Sequence, residues 1–454
     1  MEIRTEHFNE VFEDGGAARA FYRPLLETLE RIGEEGFADK SARADALLRE
    51  FGATFPLPDD PAGEDRILPA NWMPRLIPKD HWETLSTGLL QRGRAINAWL
   101  VDLYNGEQDL VPEEIVESSL FLRRRPLPYD FAPIHVYGPD LVHLESGEYV
   151  VLEDNVRVPS GIAYSEAIRR AGLEAIGDLF DPYRVSSILD YYSMLRESLE
   201  TAAPPGVEEP CVAVVTRGDG DPAYFEHNRL AVACGLRLLT LADCQVRDGE
   251  VRDRSDGRRI DVIYRRFDED YVETDLPELE GVYLEGRVNF VNAFGVGVAD
   301  DKAVFPYVPA MIERYLGEEP ILNNVRTFSL SDPEQRAEVL ERLKELVIKP
   351  REGYGGKGLV IGPEADREEL ERARRDVKDN PTGFVAQETL DFSTHVVSSE
   401  GPGLEEAFVD LRAFVLPAAG YVMPGGLTRV AQPGTHVVNS SSGGSFKDTW
   451  VLED

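Results

Sequence analysis

Gly147-Glu-Tyr-Val-Val-Leu-Glu-Asp-Asn-Val-Arg-Val-Pro-Ser-Gly161 is the stretch on which the reading of this chain turns. Tyr149, Val150, Val151 and Leu152 are aromatic, β-branched or aliphatic and carry no charge, which predicts a buried strand. That strand ends in Glu153-Asp154-Asn155. Successive strand side chains point to opposite faces, so Glu153 and Asn155 share a face and Asp154 takes the other. A carboxylate beside an amide oxygen on a rigid strand end suits a hard cation that also holds phosphate oxygens. A strand that runs out into a polar turn has the same composition, so the rest of the chain must decide.

The chain has 454 residues, room for two or three domains, and its 42% hydrophobic content is that of an ordinary globular protein. No apolar run approaches membrane-spanning length, and Met1-Glu2-Ile3-Arg4 lacks a basic-then-apolar signal pattern, so a cytoplasmic location is expected. The formal net charge of -35 is the outlying number. It argues against nucleic acid or an anionic membrane as a partner through a general basic face, and it fits a salt-adapted cytoplasm. Lysines are scarce (Lys40, Lys79, Lys302, Lys344, Lys349, Lys357, Lys378, Lys447), which makes each one more informative. Cys211, Cys234 and Cys244 are odd in number without metal-ligand spacing, and read as reduced and structural.

Residues 1–120 read as mainly helical. One helix is expected from Asp80, with Asp80-His81-Trp82-Glu83 as a capping box, an apolar stripe from Leu85 to Leu103, and Gly106 as its stop. Arg92 and Arg94 on it read as a solvated arginine face in preference to a ligand-facing pair, and Arg123-Arg124-Arg125 as a surface turn in preference to an anion site. Strands are expected at Ile134–Tyr137 and Tyr149–Leu152, a helix near Tyr183–Leu199, and a proline-rich linker over Thr201–Pro210. Beyond it come a strand at Val212–Thr216, a helix at Phe225–Cys234, and strands at Leu236–Leu241 and Val262–Tyr264, the alternation of a parallel α/β sheet. A helix opened by Ser331-Asp332-Pro333-Glu334 leads into a strand at Leu346–Pro350. The remainder is β-rich, at Phe384–Ala386, Phe408–Leu416 and His436–Asn439.

Lys349 closes an apolar strand, where an unpaired ammonium is costly. Arg351-Glu-Gly-Tyr-Gly-Gly-Lys-Gly358 follows, with the glycine density that lets backbone amides close over phosphates, although a plain hairpin would use glycine too. No Gly-Lys-Ser/Thr opens a helix there, so it is not a Walker loop.

Strand-Lys349-Pro350, the glycine loop, Val385-Ala386-Gln387-Glu388 and Asp410-Leu411-Arg412 together resemble the ATP-grasp superfamily. Its members carry a Glu-x-Asn pair with a further acidic ligand upstream, and here Asp140 lies thirteen positions before Glu153. In this chain the pair precedes the glycine loop, as in the circularly permuted ATP-grasp proteins of type 2. Asp300-Asp301-Lys302, Phe225-Glu226-His227, Gly425–Ala431 and Asn439–Trp450 are similar to that family's signatures. Its glycine loop more often reads Asp-Gly-Ser-Gly-Gly-Tyr-Gly, and Lys357 is assigned no role.

The resemblance implies an α/β fold of α+β subdomains: a circularly permuted ATP-grasp with a Rossmann-like pre-ATP-grasp domain and a helical N-terminal region. The divisions expected are 1–120 (helical), 121–204 (permuted segment with the metal-ligand strand), 205–300 (Rossmann-like) and 301–454 (lysines, glycine loop and remaining core). By the same resemblance Lys302 and Lys349 contact the α- and β-phosphates of ATP. Gly353, Gly355, Gly356 and Gly358 cover the phosphates, and Gln387-Glu388 form the hinge whose backbone reads adenine. Asp140, Glu153 and Asn155 hold Mg²⁺, and Arg412 and Arg429 neutralise the transferring phosphoryl group. Surface ion pairs for the arginines and a core-edge salt bridge for Lys302 are the structural alternatives. The reaction implied is carboxylate–amine ligation through an acylphosphate, releasing ADP and phosphate, from small-molecule carboxylate and amine substrates, with peptide-bond or amide synthesis joining an amino acid or a small peptide as one form of it. A phosphotransferase and a non-catalytic nucleotide-binding scaffold are the rivals. A separate helical partner protein is also implied.

Overall fold

The computed structural model of the chain describes residues 7–54, 67–123, 127–128, 131–352, 358–398, 404–432, 434–438 and 444–454. Their largest sheet has eight strands and joins distant parts of the chain. Its order runs Arg75–Ile77, Ser445–Val451, Leu427–Val430, Leu404–Arg412, Asp140–His143, Tyr149–Glu153 and Asn323–Asn324, with Thr394–Ser398 also paired to Leu404–Arg412. The expected strand is present at Tyr149–Glu153. Val151 is fully buried there, because the sheet is covered by the Lys79–Asn105 helix and the turns around residues 296–312.

Register carries the chemistry. Asp140 pairs with Glu153 on one side and with Arg412 on the other, and Asp410 pairs with Arg429. The Asp140–Glu153 pairing depends on a bulge. Leu141 lies opposite Val151, so regular pairing would set Asp140 against Leu152, and one extra residue brings it to Glu153 instead. Neighbouring strands lie about 4.8 Å apart, so charged residues from four strands collect on a single level of the sheet.

A second sheet is antiparallel, in the order Thr327–Ser329, Phe384–Glu388, Leu346–Pro350, Val360–Ile361. Its core of Phe328, Leu346, Ile348, Val360 and Ala386 is closed by Val339 and Leu343 from one helical segment and by Ala373 and Val377 from another. The first helix, Pro333–Glu341, starts where expected, with the Asp332 side chain accepting from the Glu334 and Gln335 amides. The third sheet is fully parallel: Asn289–Val291, Val262–Arg265, Val212–Thr216, Arg237–Thr240. Its helix, Tyr224–Cys234, crosses between the last two strands. Val212 and Val214 enter one core while Ala213 and Val215 enter another, which explains a strand apolar on both faces.

Several expectations change. Ile134–Tyr137 is not a ladder strand; Tyr137 makes an isolated bridge to Val415. The helix expected from Tyr183 begins at Asp190 and ends at Thr201. The helix expected from Asp80 runs Lys79–Asn105, and its first residue follows Pro78 without a side-chain cap, so the capping box is absent. Gly106, at φ 75°, terminates it as expected. His436–Val438 is irregular, and Asn439 lies outside the described residues. All three cysteines are free. Among the described residues, no helix is long and apolar enough to cross a membrane.

Candidate functional site

The first two sheets meet around a cavity of about 500 Å³, to which Asp268, just past the Val262–Arg265 strand of the third, also contributes. Leu152, Val325, Val347, Ile361 and Leu390 give it an apolar wall, from the ends of the first two sheets. Asp140, Glu153, Asn155, Lys302, Lys349, Arg412 and Arg429 line its polar part, and Gln387 and Glu388 also reach it. Every described member of the sequence-derived set except Gly358 therefore lines one cavity. Gly353, Gly355 and Gly356 lie outside the described residues, as does Lys357. Gly358 has φ +77°, and a Cβ there would sit 2.8 Å from Pro350 Cγ, so this position requires glycine.

The polar groups form a chain of contacts. Arg412 donates two hydrogen bonds of 2.7 Å to Asp140, and Arg429 lies 2.9 Å from the same carboxylate while gripping Asp410 at 2.5 Å. Burial alone would raise the Asp140 carboxyl, but Arg412 and Arg429 hold it well below the usual carboxylate range. Burial pushes Asp410 up against the pull of Arg429. Lys302 lies 3.8 Å from Glu153. Lys349 makes no hydrogen bond or ion pair with a described residue, and burial lowers its ammonium while Glu153 opposes the shift.

Asn155 donates its amide to the Gly138 carbonyl at 3.0 Å and to Asp140 at 3.4 Å, which turns its oxygen away from both. Glu153, which faces Lys302 at 3.8 Å, and the Asn155 oxygen are thus the two oxygen donors not gripped by an arginine, a hard-oxygen set of the kind that suits Mg²⁺ arriving with phosphates. Asp140 differs: both its oxygens are taken by arginines, and it must release one to bind a metal. Among the described residues no cluster of three or more His, Cys, Asp or Glu could hold a metal unaided. The hinge also differs in detail. Gln387 donates to the Leu152 carbonyl at 3.2 Å and to Thr327 at 3.0 Å. The Glu388 carboxylate accepts from Arg342, and its amide donates to the Arg326 carbonyl.

Residues to which the sequence reading assigned no role in the site hold this arrangement. Asp154, on the opposite strand face, accepts both arms of Arg92 at 2.6 and 2.7 Å and the Tyr137 hydroxyl at 2.5 Å. Arg92 is fully buried and also reaches Asn324, so the expected solvated face is wrong for it; Arg94 is exposed. Asp300-Asp301-Lys302 sends three consecutive side chains to three places. Asp300 accepts from the Val156 amide and Arg157, Asp301 binds Arg351, and Lys302 faces Glu153. From the Tyr224–Cys234 helix, Glu226 accepts from the Ser160 hydroxyl and the Gly161 and Ala163 amides, fixing the Pro-Ser-Gly turn. Acidic pairs beside Lys302 and the buried-helix position of Glu226 were the available signals.

The sequence pattern of circularly permuted ATP-grasp type 2 proteins matches residues 74–431. The chain belongs to that family. A Frankia casuarinae protein named "Putative glutamate--cysteine ligase 2-2" is 41% identical over 98% of this chain and 53% of its own length. An uncharacterized Synechocystis protein is 38% identical over 98% of this chain and 97% of its own. The chain therefore spans about half the length of the Frankia relative. A glutathione synthetase-like effector from Globodera pallida, solved in apo form, shares the fold with TM-score 0.58 at 11% identity, covering 93% of this chain and 99% of that one.

Proposed function

We propose that this ATP-grasp protein is an ATP-dependent carboxylate–amine ligase. The observation that carries the proposal is the convergence of an apolar slot, two lysines, a carboxylate–amide pair and an arginine pair on one cavity. The ligase name of the Frankia relative supports it. Adenine would lie between Leu152, Val347, Ile361 and Leu390. Since the Glu388 amide is already taken, the backbone at Thr389 and Leu390 would read its edge. Lys302 and Lys349 would hold phosphate oxygens, relieving the burial penalty on Lys349. Glu153 and Asn155 would hold Mg²⁺, which would neutralise charge between the β- and γ-phosphates.

A substrate carboxylate oxygen then attacks the γ-phosphorus, the bond to the ADP oxygen breaks, and an acylphosphate forms. An amine attacks the acyl carbon and phosphate leaves. Arg412 and Arg429 would face charge that grows during transfer, their guanidinium planes already fixed by Asp140 and Asp410. The proposal extends to a cytoplasmic location and to a separate helical partner protein.

Hydroxylamine intercepts acylphosphates as hydroxamates whether or not the natural amine is known. With Mg·ATP and carboxylic acids, the wild-type protein should release ADP and phosphate and form hydroxamate, while Glu153→Gln should remain folded and form none. AMP and pyrophosphate would overturn the mechanism, and a stable phosphorylated product would make the protein a phosphotransferase. ATP binding without any product would make it a scaffold.

A further inference from the structure

The cavity continues past the phosphate residues toward the parallel sheet, where Phe121, Arg157, Asp268 and Asp300 line it. Arg157 lies two residues beyond Asn155, and Asp300 two residues before Lys302, so their Cα atoms lie within about 7 Å of those of two phosphate-site residues on the same cavity wall. None of these four residues belongs to the set that handles ATP.

Arg157 is held on three sides. Asp300 takes its Nε at 2.7 Å, the Phe121 ring lies 4.2 Å from its guanidinium carbon, and Gly297 supports its stem. A Cβ at Gly297 would stand 2.7 Å from Arg157 Cδ and 2.9 Å from Phe121 Cβ, so the arginine can lie flat only over glycine. Its Nη1 reaches Asp268 at a long 3.4 Å, and its Nη2 donates to no described residue. Asp268 has a side chain 62% exposed and no other described ion-pair partner. The result is a rigid cation with an unused edge beside a loosely held anion, both on the cavity wall.

The charges discriminate among small substrates. A polyamine would meet the guanidinium of Arg157, and a simple dicarboxylate would meet Asp268. A molecule carrying a carboxylate and an ammonium on one carbon satisfies both and replaces the long contact between them with two short ones. We propose that this compartment binds the α-carboxylate and α-ammonium of an amino-acid substrate, with Arg157 as the carboxylate anchor and Asp268 as the ammonium acceptor. The proposal rests on the ligase reading and adds the residues that would select an amino acid.

The test uses the full chain, the L-amino acids as probes, their 2-hydroxy analogues, putrescine and succinate, with hydroxylamine as the trap. L-Amino acids should be the preferred acids of the wild-type protein. Arg157→Met and Asp268→Asn should each raise KM for the preferred amino acid about tenfold or more, the scale of one charge-assisted hydrogen bond, and Asp268→Asn should do so without changing Mg·ATP affinity. Arg157→Lys should recover part of the loss. Asp268→Asn should also erase the preference for the amino acid over its 2-hydroxy analogue, which a merely structural role would leave intact. Unchanged KM in both variants, weakened Mg·ATP binding in Asp268→Asn, or a wild-type preference for putrescine or succinate would overturn the assignment.

Failure of the ligase reading shows itself separately, as no hydroxamate from the wild-type protein with any acid. The compartment is then read by thermal shift with Mg²⁺ and a non-hydrolysable ATP analogue. Stabilisation by an L-amino acid that is lost in Arg157→Met supports the site, and no stabilisation by any of them overturns it.

Discussion

Lys349 shows how much a single side chain can be asked to do. Its ammonium ends an apolar strand, burial lowers its pKa, and Glu153 and Asp140 counter that only in part. A triphosphate would supply the missing partner. Lys349→Met should therefore weaken Mg·ATP binding by about tenfold to a hundredfold, the loss of one hydrogen bond to a charged group. The pH dependence has a definite sign. The free protein carries the lowered pKa and phosphate raises it, so between the two values binding takes up a proton and affinity falls as pH rises. Calorimetry in buffers of different ionisation enthalpy reads that proton, and its absence at alkaline pH would remove Lys349 from the phosphate site. At this scale much was legible. Strand alternation alone set Glu153 and Asn155 against Asp154. The commitment of Asp140 to Arg412 and Arg429 was not legible, because it needs strands some 270 and 290 positions away in the chain.

Between elements, the Arg92–Asp154 pair joins the Lys79–Asn105 helix to the strand that ends in Glu153 and Asn155. Tyr137 and Asn324 complete its hydrogen bonds, so the low-dielectric penalty on both charges is met in full. Removing one partner leaves the other buried and unmatched. Asp154→Asn should cost about 3 kcal/mol or more in urea unfolding, and Arg92→Met combined with Asp154→Leu should recover part of it. A loss below about 1 kcal/mol would place the pair in the class of exposed bridges. Turnover should fall with stability, since the strand end carries Glu153. Elements with strong local signals were readable: the Asp332 cap, the Gly106 stop and the two-faced Val212–Thr216 strand. Arg92 was misread because its helix repeat gives only a face, and what covers that face is decided by a strand far along the chain. Ile134–Tyr137 has strand composition, yet Asn97 and Asn292 side chains satisfy part of its backbone in place of a neighbouring strand.

The molecule as a whole carries 83 acidic against 48 basic residues, and that excess sets its response to salt. Many arginines are already spent in pairs, some buried (Arg75–Glu10, Arg92–Asp154, Arg266–Glu226) and some at the surface (Arg237–Asp256, Arg196–Glu200). Pairing consumes one acid for each base, so the formal charge of -35 remains unpaired and repels itself across the fold. Added salt acts on these terms unequally. Screening shortens from about 10 Å at 0.1 M to about 3 Å at 1 M, which removes most of the repulsion between separated carboxylates. Surface pairs weaken too, but each contributes only about 0–1 kcal/mol, and the buried pairs lie beyond the reach of solvent ions. The repulsive term is therefore the larger one lost. Tm should rise steadily from low toward molar KCl. Sucrose at matched water activity should reproduce little of that rise, which separates charge screening from preferential exclusion. A Tm that stays flat or falls in KCl would mean that the acidic surface is too dispersed to strain the fold, and would reduce its role to solubility.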